Sequence, residues 1–198
     1  MYEKFGESSF RSREMKEAFD VLERASIVYR ARPFVPTHIP FIEKFRKAPK
    51  LFFLDVGLVN YRIGFKDFFS KQSLDNVYQG RISGQVTAQE IIAQSIMPPS
   101  LRFWIREKGA TEIDFLYSFK DMLIPIEVKS GKKGKLKSLN LFMENSHYPY
   151  AIRVYSGKSC IDPMQLPSGK QYYLYPISYY LLSRLDEVIE RFVSRCKI

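Results

Sequence analysis

The chain has 198 residues, of which 45% are apolar and 15% aromatic, so it can bury a core. It contains no uncharged apolar run of membrane-spanning length, and MYEKFGESSF lacks the apolar centre of a secretory signal. Two cysteines, Cys160 and Cys196, are too few for a disulfide framework, so we expect a cytoplasmic protein with no membrane partner. The net charge of +10 suits nucleic acid or an anionic surface, although proteins that bind neither can also be basic.

The N-terminal segment, residues 1–50, is predicted to be helical and winged-helix-like. Four apolar residues recur at helical spacing: Met15, Ala18, Phe19 and Leu22. A short strand is predicted at Ile27-Val28-Tyr29, and three prolines should break regular structure after it: Pro33, Pro36 and Pro40. This pattern fits the end of a winged helix-turn-helix, and it fits equally a packing helix with a wing-like hairpin that touches no DNA.

Two further segments follow. A connecting segment, residues 51–80, opens with the apolar run LFFLDVGLVNYRIG, which fits a buried strand or a buried helix equally well. The third segment, residues 81–198, carries a longer series of elements. The pattern predicts a helix over 82–96, strands over 101–106, 111–119 and 122–129, a helix beginning near 136, a strand over 151–156 and a helix from about 177. The sequence therefore predicts an α/β domain with the order α-β-β-β-α-β.

The two central strands should form a hairpin that gathers carboxylates. A turn at Lys120-Asp121 places Asp114 opposite Glu127 and Glu112 opposite Lys129. Alternation puts these four side chains on one face and leaves the other face wholly apolar and buried. Like charges directly opposite each other destabilise a sheet, and a divalent cation between Asp114 and Glu127 would turn their repulsion into a binding site. Lys129 should project to the same side, where it could hold a phosphate oxygen or orient a water.

Other interpretations of the hairpin remain open. Glu112 and Lys129 could form an ordinary surface ion pair, which contributes at most about 1 kcal/mol. Asp114 and Glu127 would then repel weakly in solvent. A register slip of one residue would separate the pair altogether.

Asp114 in TEID and the Glu127-x-Lys129 pattern in IEVK, on an α-β-β-β-α-β order, resemble the PD-(D/E)XK nuclease superfamily. Four longer strings, KFGESSFRSREMKEAFDVLERA, PKLFFLDVGLVNYRIG, FWIREKGATEIDF and LIPIEVKSGKKGKLKSL, resemble the C-terminal domain of unknown function of bacterial and archaeal predicted AAA+-type ATPases. This second resemblance covers nearly the whole chain. It implies a restriction-endonuclease-like core preceded by the end of a winged-helix segment.

The chain departs from that family in two places. No P-loop is present, because Lys129 stands where the first glycine of the motif would be and Leu136 stands where serine or threonine is needed. We therefore expect no ATP site, and an ATPase domain would have to be supplied in cis or in trans. The second departure is Gly84, at a helix position where the family usually has Glu. Glu90 matches the family's second helical acid, but a rotation of about 240° turns it largely away from Gly84.

Basic and aromatic residues suggest further contacts. Four lysines follow the candidate site and could bind a phosphate backbone or form a solvated loop: Lys132, Lys133, Lys135 and Lys137. Trp104 is expected in the core. The tyrosines between Tyr172 and Tyr180 could stack on bases, although packing against the sheet is the commoner role of such residues.

The leading functional hypothesis is a nuclease-like module that binds DNA and hydrolyses phosphodiester bonds with Mg²⁺ or Mn²⁺. In the mechanism that the resemblance implies, Asp114 and Glu127 hold the metal together with the Val128 carbonyl, and Lys129 positions the water or the phosphate. Glu112 and Glu90 are accessory candidates. One alternative is a catalytically inactive DNA- or protein-binding regulatory module of an ATPase, and another is a purely structural interaction domain.

Overall fold

The computed structural model describes residues 11–38, 48–62, 77–94, 100–107, 109–129 and 136–196. The helices in these ranges are α1 (Ser12–Arg24), α2 (Val56–Arg62), α3 (Val77–Gln94), α4 (Lys137–Asn145) and α5 (Leu185–Cys196). The strands are β1 (Val28–Phe34), β2 (Lys50–Phe53), β3 (Arg102–Ile105), β4 (Glu112–Ile113), β5 (Phe115–Phe119), β6 (Met122–Val128), β7 (Tyr150–Val154), β8 (Asp162–Gln165) and β9 (Gln171–Ile177). The protein is therefore a mixed α/β protein.

The strands form two sheets, and the chain passes directly from the first to the second between β4 and β5. The first has the order β2-β1-β3-β4, and the second has the order β5-β6-β7-β9-β8. β6 and β9 run parallel to β7, whereas β5 and β8 are antiparallel to their neighbours. A single residue, Asp114, separates β4 from β5 and so lies where the chain passes from one sheet to the other. From α3 to β7 the elements follow the predicted α-β-β-β-α-β order, except that the predicted strand over 111–119 is divided at Asp114 into β4 and β5.

Helices cover both faces of the second sheet. Side chains of α3 and α5 pack with Ile124 and Ile126 in one cluster, whereas α4 packs with Leu116 and Leu123 in another. Six of the seven residues of β6 are consequently buried. The prediction of a single buried face was therefore wrong, because α4 covers the opposite face as well. Trp104 is buried in the α4 cluster, as predicted.

The hairpin of β5 and β6 has the predicted register. Phe115 pairs with Ile126 and Phe119 pairs with Met122, so that Lys120 and Asp121 form a two-residue turn. Extending this register by one residue places Asp114 opposite Glu127, as the sequence predicted. The predicted pairing of Glu112 with Lys129 was wrong. The chain bends at Asp114, so Glu112 pairs with Ile105 of β3 instead.

The N-terminal region continues the first sheet. β1 pairs antiparallel with β2 on one side and parallel with β3 on the other. Contrary to prediction, Pro33 does not end β1. The Arg32 N–H donates to the Leu101 carbonyl on the β3 side. Because successive residues of a strand alternate in direction, the nitrogen of Pro33 faces the β2 side. The pairing of β1 with β2 has already ended at Ala31 there. The missing N–H of Pro33 therefore removes no ladder hydrogen bond.

Several element boundaries differ from those predicted. The run that fitted a strand or a helix equally contains both, since β2 is followed by α2. α3 begins at Val77 rather than at residue 82. The predicted C-terminal helix is preceded by β9 and then by a 3₁₀ helix, Tyr179–Arg184, before α5 begins. No helix among the described residues is long and apolar enough to cross a membrane.

Candidate functional site

Two carboxylates meet where β4, β5 and β6 come together. Asp114 occupies the bend between β4 and β5, and its Oδ2 accepts a hydrogen bond of 2.8 Å from the Val128 N–H. Glu127 lies near the end of β6, and its side chain is only 7% exposed. The register of the hairpin sets the two acids opposite each other, and the hydrogen bond to Val128 fixes the orientation of Asp114. The structure thus brings together three of the residues predicted for the site.

Lys129 also belongs to this site. Its Nζ lies 2.5 Å from Glu127 Oε1, which agrees with the prediction that the two side chains project from the same side of the strand. The backbone N–H of Lys129 donates to the Val154 carbonyl, and its carbonyl accepts a hydrogen bond of 3.0 Å from the Tyr179 hydroxyl. Lys129 is therefore held by β7 and by the start of the 3₁₀ helix.

A second lysine, Lys50, enters the site from β2. Its Nζ lies 3.0 Å from Glu112 Oε1 and 3.9 Å from Asp114 Oδ1, and 4.6 Å from the centroid of the Phe103 ring. Sequence reasoning missed Lys50, because a lysine just before an apolar run commonly marks only the start of a strand. Its proximity to Asp114 arises only from the pairing of β2 with β1 and of β1 with β3.

Burial dominates the electrostatics of the acid pair. Loss of solvation raises the pKa of Asp114, and the Val128 hydrogen bond and the charges of Lys50 and Lys129 only partly oppose this effect. Loss of solvation also raises the pKa of Glu127, with a further contribution from the charge of Asp114. Both acids therefore hold their protons to higher pH than ordinary carboxyl groups do.

This raised pKa predicts how stability depends on pH in the metal-free protein. A carboxyl group whose folded pKa exceeds its unfolded pKa adds stability at low pH, and that stability is lost as pH rises through the folded pKa. We expect Glu127→Gln to remove part of this loss, so that its urea midpoint falls less with rising pH than that of the wild type. The measurement is urea unfolding at several pH values in EDTA.

Glu190→Gln is the matched control for this prediction. The pKa of Glu190 is lowered by its hydrogen bond with Lys120, so this acid should contribute in the opposite direction. Identical pH profiles for Glu127→Gln and the wild type would contradict the assignment of Glu127 as a buried acid with a raised pKa.

The remaining predicted residues have different positions. Glu112 is exposed and pairs with Lys50 rather than with Lys129. Glu90 is half-buried on α3 and does not line the cavity that Gly84 and Asp114 share. Lys137 is exposed at the first residue of α4. The predicted lysines Lys132, Lys133 and Lys135 lie outside the described residues.

The tyrosines between Tyr172 and Tyr180 differ in burial and in their contacts. Tyr172 is 1% exposed and packs in the α4 cluster, whereas Tyr180 is 75% exposed. Tyr179 lies beside the acid pair. The pKa of Tyr179 is raised, mainly because the hydroxyl is buried. A hydrogen bond with Ser83 of α3 partly opposes this increase, and the charge of Asp114 adds slightly to it. Tyr179 therefore connects α3 to the backbone of Lys129.

The donor atoms suit a divalent cation bound by two carboxylates. Glu127 Oε2 is buried and has no hydrogen-bond partner among the described residues, and Asp114 Oδ1 lies 3.9 Å from Lys50 Nζ. Mg²⁺ is commonly held by one or two carboxylates, with water and phosphate oxygens completing its coordination. Within the described ranges, no group of three or more His, Cys, Asp or Glu side chains could hold a metal ion. The protein therefore offers a partial site that water and phosphate would have to complete.

Comparison with known proteins places most of the chain in families without an assigned function. Residues 2–68 match a domain of unknown function, DUF8612. A search of the curated proteins finds no match, and a search of the solved structures finds none either. Residues 79–180, more than half of the chain and including Asp114, Glu127 and Lys129, match a domain of unknown function, DUF4143. The chain therefore belongs to the DUF4143 family.

Proposed function

We propose that this protein is a PD-(D/E)XK-like module that binds nucleic acid and hydrolyses phosphodiester bonds with Mg²⁺ or Mn²⁺. The observation that carries the proposal is the buried Glu127, with an oxygen that lacks a partner among the described residues, opposite Asp114. The order of elements from α3 to β7 is consistent with such a core. The winged-helix-like nature of residues 1–50 and a cytoplasmic location remain parts of this proposal.

Each residue of the site has a role in the proposed reaction. Asp114 and Glu127 would hold the cation, and the Val128 carbonyl would add a third oxygen. The bound cation would lower the pKa of a water and offset the charge that develops on the phosphate. Lys129, next to Glu127, would orient the water or contact a phosphate oxygen. Glu112 would act indirectly, by holding Lys50 beside Asp114.

A non-catalytic module is the second candidate, and two observations favour it. Gly84 supplies no carboxylate from α3, and Lys50 and Lys129 already neutralise part of the acidic charge. Such a module would bind DNA, or an ATPase domain in cis or in trans, without hydrolysis. Binding that falls steeply with salt would indicate DNA, whereas salt-insensitive association with protein would indicate the structural role.

Titration with Mn²⁺ tests the proposal directly. We expect the wild type to bind Mn²⁺ saturably in calorimetry and Glu127→Gln to bind at least about tenfold more weakly, since even loss of a group outside the coordination shell costs that much. The same substitution should abolish any Mn²⁺-dependent cleavage of DNA while leaving the thermal midpoint unreduced, because glutamine keeps the shape of the side chain.

Glu190→Gln is the control, because it removes an acid that pairs with Lys120 away from the site. It should leave Mn²⁺ binding unchanged. Equal Mn²⁺ affinity in the wild type and in Glu127→Gln would rule out Glu127 as a ligand. Saturable Mn²⁺ binding without cleavage of single- or double-stranded DNA would favour the non-catalytic module.

A further inference from the structure

A cavity of about 540 Å³ opens beside Asp114. Residues of β2, α2 and α3 line it, and Lys50 and Asp114 are among its polar groups. Ligand pockets in proteins commonly have volumes of about 300–1,000 Å³, so the cavity is large enough for a heterocyclic ring system. One cavity thus adjoins the same Asp114 that faces Glu127.

The walls of this cavity are fixed by side-chain hydrogen bonds. Gln85 of α3 accepts a bond of 3.1 Å from the Phe53 N–H and donates one of 2.6 Å to the Phe53 carbonyl, which fastens α3 to β2. Gln89 accepts a bond of 3.1 Å from the Val56 N–H and so fastens α3 to the start of α2. These hydrogen bonds hold β2 and α2 against α3, so the cavity between the three elements is preformed.

Two glycines contribute backbone to the α3 side of the cavity, which Ile82 and Gln85 also line. Gly80 and Gly84, one helical turn apart, both line the cavity, and a Cβ added at either would meet no atom of the described residues within 4 Å. A flat group could therefore approach the helix closely. Phe52, Phe53 and Phe115 supply aromatic surface, and the rings of Phe52 and Phe115 pack 5.4 Å apart.

The chemistry around the cavity favours a nucleobase over an apolar side chain of a protein partner. A base has flat faces that suit aromatic and glycine surfaces, and in a nucleic acid it is attached to a phosphate. The phosphate would lie toward Lys50 and the cation that Asp114 and Glu127 would hold. The net charge of +10 would attract such a ligand.

We propose that this cavity binds the base of an unpaired nucleotide whose phosphate contacts Lys50 and the cation that Asp114 and Glu127 would hold. This inference rests on the proposed function. It specifies the substrate as a nucleic-acid strand that contains an unstacked base. Single-stranded nucleic acid, or a duplex end or gap, offers such a base at the lowest energetic cost. Gly84 would then be the position that opens the pocket, rather than only the site of a missing acid.

Gly84→Leu tests the pocket by filling it. The added side chain has open space to enter, and leucine is a better helix former than glycine, so the thermal midpoint should not fall. The probe is a short single-stranded oligodeoxynucleotide that contains one 2-aminopurine, titrated by fluorescence in Ca²⁺ to prevent cleavage. We expect Gly84→Leu to bind it about tenfold more weakly and to lose the fluorescence change that accompanies stacking.

Two comparisons make the outcome decisive. Ala93→Leu, at an exposed position on α3, should bind the oligonucleotide like the wild type. Mn²⁺ affinity should be unchanged in Gly84→Leu, because glycine offers no ligand side chain.

Equal oligonucleotide binding by Gly84→Leu and the wild type, or no binding by the wild type, would overturn the base pocket. If Mn²⁺ binding remains sensitive to Glu127→Gln in that case, the proposed function survives without the pocket. Loss of both would remove the proposed function as well.

Discussion

Replacing Lys50 with methionine is expected to tighten Mn²⁺ binding and to weaken nucleic-acid binding. The Lys50 ammonium lies 3.0 Å from Glu112 and 3.9 Å from Asp114, so it competes with a cation for the same negative charge. Two unit charges about 4 Å apart interact by about 4 kcal/mol at a near-surface effective dielectric constant. The Lys50 side chain is 28% exposed, and solvent therefore screens part of this effect. We expect Mn²⁺ affinity to rise about tenfold, or about 1.4 kcal/mol.

The opposite sign is expected for nucleic acid because the phosphate would lose a cationic partner. In Ca²⁺, the affinity of Lys50→Met for an oligonucleotide should fall, and the slope of its logarithm against log salt should decrease by about one. The Mn²⁺ titration should be run near pH 8, since loss of Lys50 also removes a charge that lowers the pKa of Asp114 and Glu127. A higher pH favours the ionised form of both acids, with or without Lys50.

Lys120→Met is a closely matched control. Lys120 also pairs with an acid, Glu190, at 2.9 Å and also lies over an aromatic ring, that of Phe119 at 5.1 Å. It should change neither Mn²⁺ affinity nor nucleic-acid affinity. If Lys50→Met instead weakened Mn²⁺ binding, Lys50 would hold the acids in place rather than compete for them. Unchanged Mn²⁺ binding would show that Lys50 does not share the site.

The acid pair could be predicted from sequence because its geometry is local. Two alternating strands joined by a two-residue turn have one favoured register, and this register alone sets Asp114 against Glu127. The same reasoning failed one step further along the hairpin. Glu112 pairs with β3 because the chain changes sheet at Asp114, and no periodicity within the hairpin reports that change.

The positions of Lys50 and Tyr179 depend on contacts between distant parts of the chain. Lys50 reaches Asp114 only because β1 pairs with β2 and β3 at once, and Tyr179 reaches Lys129 because the 3₁₀ helix follows β9. Burial of Glu127 depends in the same way on the packing of helices on both faces of the second sheet. The periodicity of one sequence carries no signal for such contacts between distant segments.

Lys129→Met is expected to destabilise the metal-free protein by about 2–3 kcal/mol near pH 8. Glu127 is only 7% exposed, so removal of the ammonium 2.5 Å away leaves a buried carboxylate without its cation. The loss should lie below the range typical of fully buried pairs, because the Lys129 side chain is 29% exposed. Urea unfolding in EDTA measures the change. Lys129→Arg, which keeps the charge, should lose much less.

The double variant Glu127→Gln/Lys129→Met separates the charge effect from packing. If the cost arises from the unpaired carboxylate, the double variant should recover most of the stability that Lys129→Met loses, which gives a coupling free energy of about 1–3 kcal/mol. The loss in Lys129→Met should also shrink as pH falls, because protonation of Glu127 removes the buried charge. Costs that simply add in the double variant would mean that Glu127 and Lys129 do not interact.

Mn²⁺ then connects this stability effect to the proposed function. A cation that binds the folded state stabilises it according to its concentration relative to its dissociation constant. In Lys129→Met the cation would also replace the missing ammonium beside Glu127, so Mn²⁺ should raise the urea midpoint of this variant more than that of the wild type. In Glu127→Gln/Lys129→Met, the carboxylate itself is gone and Mn²⁺ should have little effect. Equal stabilisation of both variants by Mn²⁺ would place the metal away from Glu127 and would remove the main support for a metal-dependent reaction at this site.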